Sequence, residues 1–162
     1  MKNGNIRPAT KADAQVIVEL IRQLADYEKL SHEAVMTPEL IEKNVFENGY
    51  AHVLLVEENE AIIGFALYFF NFSTFLGKPG LYLEDLFIEP QHRGKGYGKQ
   101  LLIELARIAV EKECGRMEWI VLDWNTPSIE FYKSLGAFPL DEWAVYRLTE
   151  DKMRILASAD RK

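Results

Sequence analysis

The segment Arg93-Gly94-Lys95-Gly96-Tyr97-Gly98, followed by Lys99, sets three glycines in alternation between an apolar run and a helical pattern. Glycine lets a backbone turn tightly and present its N–H groups to an anion, and a helix N-terminus adds unpaired N–H groups of its own. Arg93, Lys95 and Lys99 add positive charge, so the expected ligand carries phosphate, and pyrophosphate in particular. Just upstream, Glu84 and Asp85 stand side by side in a run otherwise made of Leu, Tyr, Phe and Ile. In a regular strand they point to opposite faces, and one charge enters the core at serious cost. Either the pair sits on a solvent-facing edge strand, or a bulge or splay between strands lets both reach a cleft, where carboxylates hold cations and accept protons.

Two familiar phosphate motifs do not fit the glycine segment. A Walker loop has four residues between its glycines, then Lys and Ser/Thr. Here Gly94 and Gly98 enclose three residues, and Lys99 is followed by Gln100. A dinucleotide fingerprint is G-x-G-x-x-G directly after an opening strand; the spacing here is G-x-G-x-G, mid-chain.

The elements that position these residues follow from periodicity. Asn5 to Pro8 reads as a first strand, and Thr10 with Asp13 resembles a capping box. Val16, Ile17, Leu20, Ile21 and Leu24 keep helical spacing. Thr37-Pro38-Glu39 opens a second helix through Val45. Ala51–Glu57 and Ala61–Phe70 read as a hairpin joined by Glu58-Asn59-Glu60, the second strand apolar enough to be central. Leu81–Ile88 is a strand, and Leu101, Leu102, Leu105, Ile108 and Ala109 form one face of a helix after the glycine loop. Arg116–Leu122 reads as a strand, Thr126-Pro127 opens a short helix ended by Gly136, and Trp143–Thr149 reads as a last strand. This order predicts an α/β (α+β) fold, with a mostly antiparallel sheet and a parallel pair near the end.

Length and composition bound the rest. At 162 residues the chain is expected to be one domain, 1–162. The single Cys114 excludes an internal disulfide and fits a reducing, cytoplasmic setting. The histidines, His32, His52 and His92, have no helical ligand spacing, so no metal is implied. A net charge of −6 argues against broad nucleic-acid binding; it suits a cationic ligand, and ordinary solubility charge accounts for it equally. The opening residues lack a signal peptide's apolar region, and the Ala61–Phe70 run, broken by Gly64, is far short of the ~20 residues of a membrane helix.

Arg93-Gly94-Lys95-Gly96-Tyr97-Gly98 resembles the Arg/Gln-x-x-Gly-x-Gly/Ala loop of the GNAT N-acetyltransferases. Leu81-Tyr82-Leu83-Glu84-Asp85-Leu86-Phe87-Ile88 and the run from Trp124 to Ala137 resemble the same family, in the right order and at the right distance. Ile6-Arg7-Pro8-Ala9-Thr10, Leu24-Ala25-Asp26-Tyr27-Glu28 and Gly64-Phe65-Ala66-Leu67-Tyr68-Phe69 narrow the likeness to the diamine (spermidine/spermine) acetyltransferase branch, which also holds thialysine-type enzymes.

The resemblance implies the GNAT fold, acetyl-CoA as co-substrate, and acetylation of a primary amine on a small molecule, a diamine or polyamine first. It places Leu86, Phe87 and Ile88 along the pantetheine arm, residues 93–99 at the diphosphate, and Asn125, Thr126, Pro127 and Ser128 near the cofactor. The Leu86 N–H is a candidate oxyanion donor. Tyr27 and Glu28 map to an amine-binding pair, and Glu84 to substrate binding and proton removal, assisted by Asp85. A free ammonium titrates near ~10.4 and a free Glu near ~4.3, so a water relay or a strongly altered environment is required. Tyr132 maps to the general acid: free values of ~10 for tyrosine and ~8.5 for a thiol suit proton donation to a departing thiolate. With no Cys in these segments, direct attack of the amine is expected rather than a covalent acetyl-enzyme. A homodimer is implied; a nucleic-acid or membrane partner is not. The alternatives are an acetyltransferase for thialysine or another amino acid, or a non-catalytic acyl-CoA sensor. Glu142-Trp143-Ala144-Val145-Tyr146-Arg147 and Glu118-Trp119-Ile120 depart from the polyamine enzymes near the amine pocket.

Overall fold

Strands β1 (Asn5–Pro8), β2 (His52–Glu58), β3 (Ala61–Ser73), β4 (Lys78–Ile88) and β5 (Arg116–Trp119) form one sheet in that spatial order. The computed structural model describes residues 4–159, and the chain divides into two compact units, Met1–Leu122 and Asp123–Lys162. The first four strands pair antiparallel and β4 with β5 parallel, the mixed α/β sheet expected from the sequence. The β2–β3 turn is tight: Asn59 and Glu60 have φ of 52° and 66°, the left-handed pair of a type I′ hairpin.

Helices α1 (Ala14–Tyr27) and α3 (Tyr97–Glu111) each bury one apolar face. The Ile17, Leu20 and Leu24 face of α1 packs with Val53, Leu55, Phe65 and Phe87 of the sheet. Thr10 and Asp13 are joined as expected, with the Thr10 N–H donating to Asp13 Oδ2 at 2.7 Å. Asp13 also pairs with Arg7, which holds its carboxyl down to about 2. Thr37 caps α2 (Pro38–Ile41), its hydroxyl accepting from the Leu40 N–H at 3.3 Å. The α-helix is shorter than the sequence pattern suggests, because residues Glu42–Glu47 wind on as π-helix.

The second unit carries α4 (Thr126–Ser134) and α5 (Glu150–Ala157). Gly136, at φ 90°, closes α4 by donating to the Lys133 carbonyl at 3.0 Å. Two strand expectations fail, one in each unit. The strand from residue 116 stops at Trp119 rather than Leu122, and Ile120 is left 62% exposed. Residues 143–149 form no strand: Tyr146 is 95% exposed, and no ladder among the described residues includes them. A strand-like pattern needs a partner edge to become a strand. Immediately after it, acids Glu150 and Asp151 and the Glu150–Arg154 ion pair (2.7 Å) favour helix α5, which the sequence reading omits.

Gly64 on β3 pairs with Ile88 on β4. A Cβ there meets the Phe87 carbonyl oxygen at 2.6 Å and Ile88 Cδ1 at 2.5 Å. Gly64→Ala is therefore expected to cost about 1–3 kcal/mol through overpacking, read as a lower thermal unfolding midpoint. An unchanged midpoint would show that the β3–β4 contact yields freely.

Candidate active site

The paired acids lie where the sheet changes its pairing. Leu67 pairs with Asp85 but Tyr68 pairs with Leu83, so Glu84 is an extra residue with no partner on β3. This is a bulge of the kind that lets two adjacent charges leave a regular ladder together. On the other side, β5 pairs with Gly80–Leu83 and ends at Trp119, and no parallel pair among the described residues continues along Glu84–Ile88. Along that stretch the side of β4 away from β3 has no strand partner among the described residues, and the Ile88 carbonyl accepts from Arg93 Nε at 2.8 Å.

Glu84 is exposed and Asp85 half-buried. Burial, then the negative charges of Glu84 and Glu28, push the Asp85 carboxyl up to about 7. Glu28, the C-cap of α1, is itself raised by burial. Three carboxyls thus share one electrostatic neighbourhood, and an incoming cation relieves their repulsion. Tyr27, the last residue of α1 and next to Glu28 in sequence, is 37% exposed.

The glycine loop runs from β4 to α3. Gly94 and Gly96 have φ of 77° and 88°, and nothing lies within 4 Å of where their Cβ atoms belong. Glycine is needed there for the left-handed backbone and not for want of room. Gly96 caps α3, so the helix N-terminus opens at the loop and suits a diphosphate. Arg93 is fixed on both sides: its Nε donates to the Ile88 carbonyl at 2.8 Å, and its guanidinium lies 4.7 Å from the Tyr27 ring centre and 5.3 Å from that of Phe87. This cation–π stack ties the loop to the end of α1 that carries Glu28.

Several expected cofactor residues turn their side chains to the core. Phe87, Ile88 and Tyr97 are 3%, 7% and 1% exposed, which leaves backbone groups as their means of touching a cofactor. Lys95 Nζ lies 3.2 Å from each oxygen of Glu58, while Leu86 is half-buried and Lys99 exposed. Glu58 is the residue that sequence reasoning passed over as part of a turn. It is buried at the end of β2 and also accepts from the Tyr97 hydroxyl at 2.7 Å and pairs with His92 Nδ1 at 2.5 Å. The Tyr97 bond first, then Lys95 and His92, hold its carboxyl down to about 2.

The remaining candidates lie in the second unit. Asn125 is the buried N-cap residue of α4, its carbonyl accepting from the Ile129 N–H at 3.1 Å. Thr126, Pro127 and Ser128 form the first turn, with proline at the position where its missing N–H costs nothing. Tyr132 is half-buried on the same helix, its ring 5.6 Å from that of Phe131.

The bulged acid pair, the split strand edge and the left-handed glycine loop at a helix N-terminus define an acyltransferase of the GNAT type. The family model described as "Acetyltransferase (GNAT) family" matches residues 17–137, and the chain belongs to that family. It is 36% identical to a thialysine N-epsilon-acetyltransferase of Mus musculus, over 97% of this chain and 99% of the mouse protein. It is 31% identical to an L-ornithine N5-acetyltransferase of Arabidopsis thaliana, over 94% of this chain and 87% of that protein. Among solved structures, an integron cassette protein from the mobile metagenome of V. cholerae matches with a TM-score of 0.81 at 29% identity, covering 98% of this chain and 99% of that one. Among the described residues no helix is long and apolar enough to cross a membrane.

Proposed function

We propose that this single-domain enzyme transfers the acetyl group of acetyl-CoA to the terminal primary amine of a small cationic molecule, by direct attack. The observation that carries this reading is Asp85, half-buried beside the bulge and pushed up to about 7 in the company of Glu84 and Glu28. Acetyl-CoA supplies the thioester. The loop of residues 93–99 holds its diphosphate, chiefly through backbone N–H groups, and the open edge of β4 from Leu86 to Ile88 takes the pantetheine arm, with the Leu86 N–H at the thioester oxygen.

Glu28 and Glu84 attract and orient the ammonium, with Tyr27 beside them. The family resemblance gives Glu84 the larger part in proton removal; the burial of Asp85 shifts the accepting role to Asp85, with Glu84 at the exposed rim. Tyr132 donates a proton to the leaving thiolate, and Asn125 to Ser128 contribute to cofactor binding. The same resemblance supports a homodimer, and the single Cys114 fits a cytoplasmic setting.

Two amine classes compete. The family branch first suggests a diamine or polyamine, whereas the mouse and Arabidopsis relatives are named for thialysine and L-ornithine, amino acids with a side-chain amine. Release of CoA thiol, followed over a panel of putrescine, spermidine, lysine, ornithine and thialysine, separates them. Saturation with ornithine or thialysine and none with spermidine is the result the relatives favour. The reverse establishes the polyamine class, and CoA binding without turnover on any amine means a sensor and overturns the enzymatic reading.

A further inference from the structure

We propose that Glu58 is a positioning residue for the acyl-CoA loop: one buried carboxylate at the end of β2 fixes side chains at three points along residues 92–97 and so holds the loop backbone ready for a diphosphate. The proposal rests on the reading that this loop binds the cofactor's diphosphate.

Both carboxylate oxygens are used. One accepts from the Tyr97 hydroxyl at 2.7 Å and from Lys95 Nζ at 3.2 Å; the other meets His92 Nδ1 at 2.5 Å and the same Lys95 Nζ at 3.2 Å. His92 precedes the loop, Lys95 lies between its two left-handed glycines, and Tyr97 begins the helix. A segment with Gly94 and Gly96 has many alternative backbone states and loses much freedom on ordering. Fixing it before the ligand arrives removes that cost from the binding step. Arg93, bonded to the Ile88 carbonyl, is a further anchor on the opposite side of Gly94 from Lys95.

The arrangement also changes the part played by Lys95. Its charge faces Glu58, so it works as an internal strut, and the diphosphate depends more on oriented N–H groups. The side-chain hydrogen bonds of Glu58 go to His92, Lys95 and Tyr97 and, among the described residues, to none of Glu28, Glu84 and Asp85, so its removal should affect one substrate and spare the other.

The test compares Glu58→Gln and Glu58→Ala with wild type, using acetyl-CoA and S-acetylpantetheine, which lacks the diphosphate. For acetyl-CoA, KM is expected to rise about tenfold in Glu58→Ala and about threefold in the isosteric Glu58→Gln, with kcat and the amine KM within about twofold of wild type. With S-acetylpantetheine, KM should stay at the wild-type value. Amide hydrogen exchange over residues 92–98 should quicken in Glu58→Gln while the sheet amides stay protected, a readout that needs no turnover. Three results overturn the proposal: an acetyl-CoA KM that is unchanged or lower, an equal loss with both donors, or exchange that quickens throughout the chain. If wild type itself uses both donors with one KM, the loop does not hold the diphosphate, and that reading falls together with the proposal.

Discussion

Asp85→Asn is expected to lower kcat/KM for the amine by about a hundredfold and to abolish a rise in kcat/KM centred near pH 7. The amine arrives as an ammonium that titrates near ~10.4 and must lose a proton before it attacks. An ordinary aspartate is a poor match for it, but Asp85 is pushed from 3.8 to about 7 by burial first and by Glu84 and Glu28 second. Free enzyme with ionised Asp85 is the competent form, so kcat/KM climbs as pH rises through about 7. Asparagine keeps the shape and cannot take the proton. A further rise that wild type and variant share at higher pH belongs to the amine itself.

Stability moves the other way, and its sign is fixed by the direction of the shift. Below 3.8 the carboxyl is protonated in both native and unfolded chains and contributes no difference. Between 3.8 and about 7 the unfolded chain ionises more readily, and above about 7 the native state carries the full penalty. That penalty is at most about 4 kcal/mol. Asp85→Asn should therefore melt higher than wild type at pH 8 and close to it at pH 4. A variant that keeps both its rate and the rise near neutral pH removes Asp85 from proton transfer.

The parts of this site that were legible in the sequence are those where local chemistry conflicts with local structure. Two acids in an apolar strand have no good place in a regular ladder, and the fold resolves the conflict by leaving Glu84 unpaired across β3. Alternating glycines announced a loop whose backbone had to enter left-handed space, as Gly94 and Gly96 do. Glu58 gave no such sign: its partners His92, Lys95 and Tyr97 lie 34, 37 and 39 residues away, and next to Asn59 and Glu60 it reads as turn polarity. The stretch 143–149 failed for the opposite reason. Its aromatic and β-branched residues are a real local preference, but strands are made by partners, and the preference alone does not supply one. Helix α5 was overlooked because the strand pattern runs directly into Thr149, which is the N-cap of the helix.

Tyr132→Phe is expected to lower kcat by about a hundredfold while leaving KM for acetyl-CoA within about threefold. The substitution keeps the ring beside Phe131 and the backbone closure of α4, in which the Tyr132 carbonyl accepts from the Leu135 and Ala137 N–H groups at 3.1 and 3.2 Å. What it removes is the hydroxyl, the group that the family resemblance assigns to the departing sulfur. A thiol near ~8.5 and a tyrosine near ~10 are close enough for the proton to pass as the C–S bond breaks. The loss should then depend on the leaving group. An acetyl thioester of a more acidic thiol needs less help from a proton donor, so the ratio of wild-type to variant kcat should shrink with such a donor. An undiminished rate with acetyl-CoA removes Tyr132 as the general acid. A loss of equal size with both donors means that the hydroxyl acts before C–S cleavage, in placing the amine or the thioester.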